Sequence, residues 1–383
     1  MTAVSPAQGA PCAPTAIRPA IDSLLRRARV PGCSVAFVSA TGTIWSDGFG
    51  YADVASREAA TRDTVYPLFS GTKLYTATAT MQLVERGALR LEDPVARYVP
   101  ATSSLAGLQL VHLLSHQSGL ADSLRGFLSV TFPGERPRSA AEALRGFPLR
   151  ARRAPGTRVE YGNVNYALLG AVVSRVTGME YSSWVREHIL APLGSACDFT
   201  YPMDATHRMA TGYVDWWDPM RAVLWYLDRT AARRVTGARC GAFVALRPYH
   251  LATAAIGGLV GTVPEFARFL QAHLREGDAI LEPSSVVAMQ RQVASGAAGM
   301  VSRVGVGLGW KLGRAGHRTF VNHEGGGAGF TSELRLYPAE GLGVAISMNA
   351  MRMPATMRLA HEIAELVSGP AGESAPPREP RSA

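Results

Sequence analysis

The strand-forming segments of this chain lie at its two ends, and helical periodicity fills the space between them. Near the N-terminus, CSVAFVSA and TIWSDGFGYAD flank Thr41-Gly42 and form a hairpin-like pair. Near the C-terminus, RTFVNH, TSELRLY with its alternating faces, and GLGVAISM give three more strands. A sheet buries its faces only where strands pair, so the two ends must meet and the middle becomes an insertion. The expected fold class is α+β: an antiparallel sheet from both chain ends, flanked by helices, with a mostly helical inserted domain. The expected divisions are loose tails at 1–14 and 369–383, a sheet domain over 15–70 plus 291–368, and a helical domain over 71–290. The site is expected at the interface of the last two, which make one catalytic unit.

Helices are expected over about 15–29, and over 74–86, where Leu74, Ala77, Met81 and Val84 form a stripe that stops at Gly87. Residues 164–177 repeat the pattern with Leu169, Val172, Val173 and Val176. Thr262 and Glu265 have capping-box spacing before Phe266, Phe269, Leu270 and Leu274. A last helix carries Leu359, Ile363, Leu366 and Val367.

Hydrophobic residues make up 47% of the 383 positions and charged residues 18%, enough to bury a core. No run approaches the ~18 apolar residues that span a bilayer, which excludes an integral membrane protein. The net charge of +9 raises the question of nucleic acid. The arginines are scattered, however, and the densest run (Arg229, Arg233, Arg234, Arg239) is expected to be a solvated loop or an anchor for acidic groups. No nucleic-acid partner is expected.

The kind of positive charge says more than its amount. Of the 39 basic residues only Lys73 and Lys311 are lysines. A chain so committed to arginine keeps lysine where guanidinium fails, above all where a proton must be lost. The plainer alternative is two leftover surface lysines. Cys12, Cys33, Cys197 and Cys240 are too few and too dispersed for a disulfide scaffold or a structural zinc site. The first twenty residues lack a basic segment followed by an apolar one, so a cytoplasmic location is expected.

Three motifs carry chemistry. In LFSGTKLYTATATMQLVERG, Lys73 follows Ser70 by three residues, one helical turn away on the same face. An amine there can reach the serine Oγ, and Leu68, Phe69, Leu74 and Tyr75 would desolvate it and lower its pKa. The structural alternative is a helix-capping serine beside a chance lysine. Tyr161-Gly162-Asn163 places a phenol and an amide on one side of an extended segment. His323-Glu324-Gly325 closes a strand and runs into glycines that admit close backbone approach. Singly, a Tyr or a His is more often structural.

In this order and context the motifs resemble the active-site serine penicillin-recognising superfamily: class C β-lactamases, D-Ala-D-Ala carboxypeptidases, and the related esterases, D-aminopeptidases and acyltransferases. VHLLSHQSGL, PLGSACDF, ATGY, IGGLVGTVPEFARFLQAHL and GLGW match the same family, and the likeness runs from about residue 16 to 368. The resemblance implies a β-lactamase/transpeptidase-like fold. It implies Ser70 as nucleophile, Lys73 as adjacent base, and Tyr161 as a proton relay in phenolate form. It gives Asn163 a hydrogen bond to the acyl side of the substrate. His323, Gly325 and Gly326 would line the substrate site, with the Ser70 and Gly326 amides as oxyanion hole.

His323 departs from the pattern, because β-lactamases and penicillin-binding proteins usually begin this motif with lysine. A neutral imidazole anchors a carboxylate less well than an ammonium. The expected activity is therefore a serine hydrolase forming an acyl-enzyme on Ser70 and cleaving an ester, thioester or small amide better than β-lactams. Transfer of the acyl group to a small acceptor, β-lactamase or D-Ala-D-Ala peptidase activity, and a non-enzymatic binding module are the alternatives. No cofactor or metal is expected: His112-x-x-x-His116 lacks the glutamate of H-E-x-x-H. Gly48-Phe49-Gly50 lacks a third glycine for a dinucleotide loop, and no serine sits in G-x-S-x-G. Trp216, Trp217, Trp225 and Tyr226 would line an apolar acyl pocket or pack a loop onto the helical domain.

Overall fold

The computed structural model describes residues 14–127, 129–135, 138–201, 209–296 and 304–368. Its main sheet has eight strands in the order Gly305–Val306, Lys311–Ala315, Arg318–Gly327, Phe330–Tyr337, Leu342–Met348, Gly32–Ser39, Gly42–Asp53 and Glu58–Ala59. Every pairing is antiparallel. The seam between the chain ends falls where Gly32–Ser39 pairs with Leu342–Met348, Val35 opposite Ile346.

Side-chain alternation along Gly32–Ser39 sorts the core into two layers. Val35 and Phe37 pack with Ile17, Ile21 and Leu24 of the helix Pro14–Ala28, and with Leu359 and Ile363 of the helix Met353–Ser368. Ala36 and Val38 face the other way, into a cluster with Phe266, Phe269 and Leu270 of the helix Val263–Leu274. The strand is thus buried on both faces. The expected tails lie outside the described residues, except Pro14, which opens the first helix.

The insertion centres on the helix Thr72–Glu85, which is buried through Leu83 on every side rather than along one stripe. Threonine suits that setting because its hydroxyl finds backbone acceptors: Thr76 Oγ1 lies 2.7 Å from the Ala255 carbonyl and Thr80 Oγ1 2.9 Å from that of Thr76. The helix Asn163–Thr177 packs beside it and ends at Gly178, whose φ of +71° only glycine adopts cheaply.

One local expectation fails. Thr262 precedes the helix Val263–Leu274 but makes no side-chain cap. Glu265 instead accepts the Ala196 amide at 2.8 Å and pairs with Arg268 at 3.5 Å, so a tertiary contact outcompetes the capping box. The mostly helical insertion also holds a three-stranded sheet, in the order Gly212–Asp215, Phe243–Leu246, Thr236–Cys240.

Candidate active site

Ser70 sits on a single 3-10 turn, Phe69–Gly71, that runs directly into the helix Thr72–Glu85. Phe69 holds φ at +48°, a region costly for a bulky side chain. Strain of this kind, about 1–3 kcal/mol, persists where the surroundings over-determine it. Here Tyr249 and Phe330 pin the Phe69 ring, each with its centroid 6.2 Å away.

One turn on, Lys73 is fully buried, and its Nζ has three partners. Ser70 Oγ is 3.0 Å away, Asn163 Oδ1 3.0 Å and the Ile256 carbonyl 2.8 Å. Burial, reinforced by the nearby Lys311 charge, drives the Lys73 pKa well below its usual value. A neutral amine has two hydrogens and one lone pair. Two of its partners here can only accept, so they take the hydrogens and the lone pair is left for the Ser70 hydroxyl proton.

Tyr161 also reaches the serine. Its Oη is 2.9 Å from Ser70 Oγ. Burial pushes the phenol pKa up, and the Glu324 and Asp122 charges add to that. Both effects act against the phenolate form that the resemblance implies. Gly162 carries the chain from Tyr161 to Asn163 in extended form, and the phenol reaches Ser70 while the amide oxygen reaches Lys73.

Asp122 went unnoticed in the sequence. Its Oδ2 accepts the Asn163 amide at 2.9 Å and its Oδ1 the Val164 amide at 3.2 Å, so it caps the helix Asn163–Thr177 from a distant loop. Oδ2 also accepts Asn163 Nδ2 at 3.3 Å, which turns Asn163 Oδ1 toward Lys73. His116 braces the same corner. Its Nδ1 accepts the Gly162 amide at 3.3 Å, and its ring centroid lies 4.5 Å from that of Tyr161.

The third motif occupies the strand Arg318–Gly327, which continues past the motif to Gly327. His323 is fully buried, its Nδ1–H donates to the Glu324 carbonyl at 2.8 Å, and burial holds its pKa well below normal. It is therefore a neutral group walled off from solvent. Glu324, beside it, pairs with Lys311. Gly325 is where this strand meets the nucleophile. A Cβ there would collide with the Leu68 carbonyl and Ser332 Oγ and lie 3.2 Å from the Ser70 amide nitrogen. Gly326 is half-buried, next to Met353.

The aromatic cluster neither lines the site nor packs inward. Trp216, Trp217 and Trp225 are 47–58% exposed and Tyr226 is 83% exposed. Leu224, from the same helix Pro219–Leu227, is the residue that lines a crevice with Phe69 and Gly327. Among the described residues no group of three or more His, Cys, Asp or Glu side chains could hold a metal ion, and no helix is long and apolar enough to cross a membrane. His112 is occupied locally, its Nδ1 accepting the Gln109 amide at 3.2 Å.

A serine within reach of both a buried amine and a phenol lies beside an antiparallel sheet, on a fold that this chain shares with penicillin-binding protein homologues. The Beta-lactamase family model matches residues 17–368, and the chain belongs to that family. Penicillin-binding protein 4 of Amycolatopsis lactamdurans is 29% identical over 392 residues, covering 94% of this chain and 92% of that protein. Protein flp of Staphylococcus aureus is 30% identical over 178 residues, a match that covers 45% of this chain and only 35% of that protein. Among solved structures, the octameric penicillin-binding protein homologue from Pyrococcus abyssi superposes with a TM-score of 0.76 at 25% identity, covering 93% of this chain and 77% of that one. D-amino acid amidase from Ochrobactrum anthropi SV3 shares the fold, with a TM-score of 0.74 at 24% identity over 92% of this chain and 99% of that one.

Proposed function

We propose that this member of the family forms an acyl-enzyme on Ser70 and hydrolyses an ester, thioester or small amide. The observation that carries the reading is the pair of bonds to Ser70 Oγ, 3.0 Å to the Lys73 amine and 2.9 Å to the Tyr161 phenol. Ser70 Oγ attacks the acyl carbon as its proton moves to Lys73. The tetrahedral intermediate collapses when Tyr161 gives its proton to the leaving oxygen, sulfur or nitrogen. The ammonium of Lys73 and the phenolate of Tyr161 then complete the cycle. Tyr161 takes a proton from the water that attacks the acyl group, and Lys73 returns one to Ser70 Oγ. The amides of Ser70 and Gly326 serve as oxyanion hole, and the second Asn163 amide hydrogen serves the acyl chain.

The neutral, buried His323 favours uncharged acyl donors, since no imidazolium meets a substrate carboxylate. Short p-nitrophenyl esters should be turned over with higher kcat/KM than nitrocefin or a D-Ala-D-Ala peptide. We place the enzyme in the cytoplasm, on a small soluble substrate; fractionation of the host cell tests this. The central test is intact-mass spectrometry after incubation with an activated ester or a fluorophosphonate. The peptide containing Ser70 should gain the acyl or phosphonyl mass, and Ser70→Ala should gain none. Equal labelling of the alanine variant overturns the reading.

A further inference from the structure

The only two lysines of the chain meet at one ring. Lys73 Nζ lies 5.2 Å and Lys311 Nζ 4.8 Å from the centroid of Tyr161. They arrive by separate routes, Lys73 from the helix after Ser70 and Lys311 from the strand Lys311–Ala315, which pairs with the third-motif strand, Lys311 opposite Asn322. Both are buried, Lys73 at 0% and Lys311 at 3% exposure.

Their surroundings differ in one respect. Lys311 is in an ion pair with Glu324, whereas Lys73 touches a hydroxyl, an amide and a carbonyl but no carboxylate. Two ammonium groups crowded round one buried ring repel each other, and the one without a counter-ion is the one that gives up its proton. Lys311 is moreover held in a built network. Asn322 Nδ2 lies 3.5 Å from Glu324 Oε2 and 3.0 Å from Glu333 Oε1, and Glu333 in turn pairs with Arg335 at 2.7 Å.

We propose that Lys311 is a positioning residue of the acyl-transfer chemistry: its ammonium, anchored by Glu324, is the standing positive charge of the site. It is supplied from the neighbouring strand and is already paired with Glu324, so it serves the base and the phenol rather than a substrate carboxylate. Its first effect is on the base. The positive charge of Lys311 disfavours protonation of Lys73, so the amine keeps the lone pair that Ser70 needs. The second is on Tyr161, whose transient phenolate forms beside an ammonium already in place. The proposal rests on the Ser70 acyl-enzyme reading and adds a residue that none of the three motifs contains.

The other groups that face Lys73 are accounted for. Asp122 and Glu324 raise its proton affinity from the loop before the helix Asn163–Thr177 and from the third-motif strand. His116 and His323 are both held neutral by burial, and Tyr161 and Tyr166 are phenols kept protonated by burial. Among these charges Lys311 has the largest effect on Lys73.

The test is the pH dependence of Ser70 acylation by a p-nitrophenyl ester, followed in a single turnover from about pH 5 to 9. The rate climbs with pH as Lys73 loses its proton. Lys311→Met removes the repelling charge and should move that climb to higher pH by about one unit or more, a tenfold or greater loss on the acid side. Asp122→Asn removes an attracting charge on Lys73, leaves the Lys311–Glu324 pair intact, and should move the climb to lower pH. The double variant Lys311→Met/Glu324→Gln leaves no lone buried ion and should lie above the wild type but below Lys311→Met. It also serves if the single methionine variant fails to fold.

Opposite shifts on removing a repelling and an attracting charge are a signature that loss of packing does not produce. If both shift the same way, or neither shifts while Ser70 is still acylated, Lys311 is structural and the proposal falls. If the wild type carries no acyl group on Ser70, it is the hydrolase reading that falls.

Discussion

The Asp122 carboxylate accepts both the backbone amide of Asn163, at 2.9 Å, and its side-chain amide, at 3.3 Å. One residue thereby caps a helix and sets the orientation of the group that holds Lys73. Replacing Asp122 with alanine should cost about 1 kcal/mol of stability through the lost cap. It should also lower kcat more than it raises KM, because Asn163 is freed to turn away from Lys73. Thermal unfolding and ester kinetics on the same preparation check both. Asp122→Asn, which keeps an acceptor, should recover most of the stability.

Lys73→Arg preserves charge and approximate length but cannot offer a lone pair at neutral pH. Acylation of Ser70 should fall by ~10²–10⁴, the range that a positioned general base contributes. Near-full kcat in this variant would show that Lys73 serves as a fixed cation and not as the base.

Gly325→Ala should impair the enzyme severely, because the added methyl meets the Leu68 carbonyl and Ser332 Oγ and presses toward the Ser70 amide. The strand must retreat from the nucleophile for the methyl to fit. The expected readout is a fall in the Ser70 labelling rate well beyond the fall in thermal stability. A variant labelled at the wild-type rate would place the backbone donors of the site elsewhere.

His273 predicts a pH effect on stability. It is buried between Phe269 and Trp310 with no partner for either ring nitrogen, and burial lowers its pKa to about 3. The unfolded chain binds this proton near pH ~6.5 and the folded chain only near 3, so stability is flat above pH ~6.5 and falls as the solution is acidified between the two. The slope is ~1.4 kcal/mol per pH unit for this one group. His273→Leu should flatten the acid branch of a curve of unfolding free energy against pH by about that amount.

Much of this was legible in the amino-acid sequence because it is local. Ser70 and Lys73 are separated by one helical turn, and Tyr161 and Asn163 by one strand period, so spacing alone aims each pair at a common point. The paired strands at the two ends were readable for the same reason. Asp122 was not, because it is 41 positions from Asn163 and nothing in GLADS distinguishes it from any loop carboxylate. Lys311 was marked by composition, but its place at Tyr161 depends on the pairing of its strand with Asn322. The exposed tryptophans show the opposite failure, in which apolar character implied a burial that the fold does not provide.

The seam between Gly32–Ser39 and Leu342–Met348 also sets an order of events during synthesis. The hairpin around Thr41-Gly42 leaves the ribosome long before its permanent neighbour, Leu342–Met348, is made. In the interval Cys33, Val35 and Phe37, all destined for complete burial, form an apolar row beside an unpaired backbone edge. Pairings this distant in sequence close slowly. The nascent hairpin is therefore the part of the molecule most exposed to wrong partners, and the part a chaperone would be expected to hold.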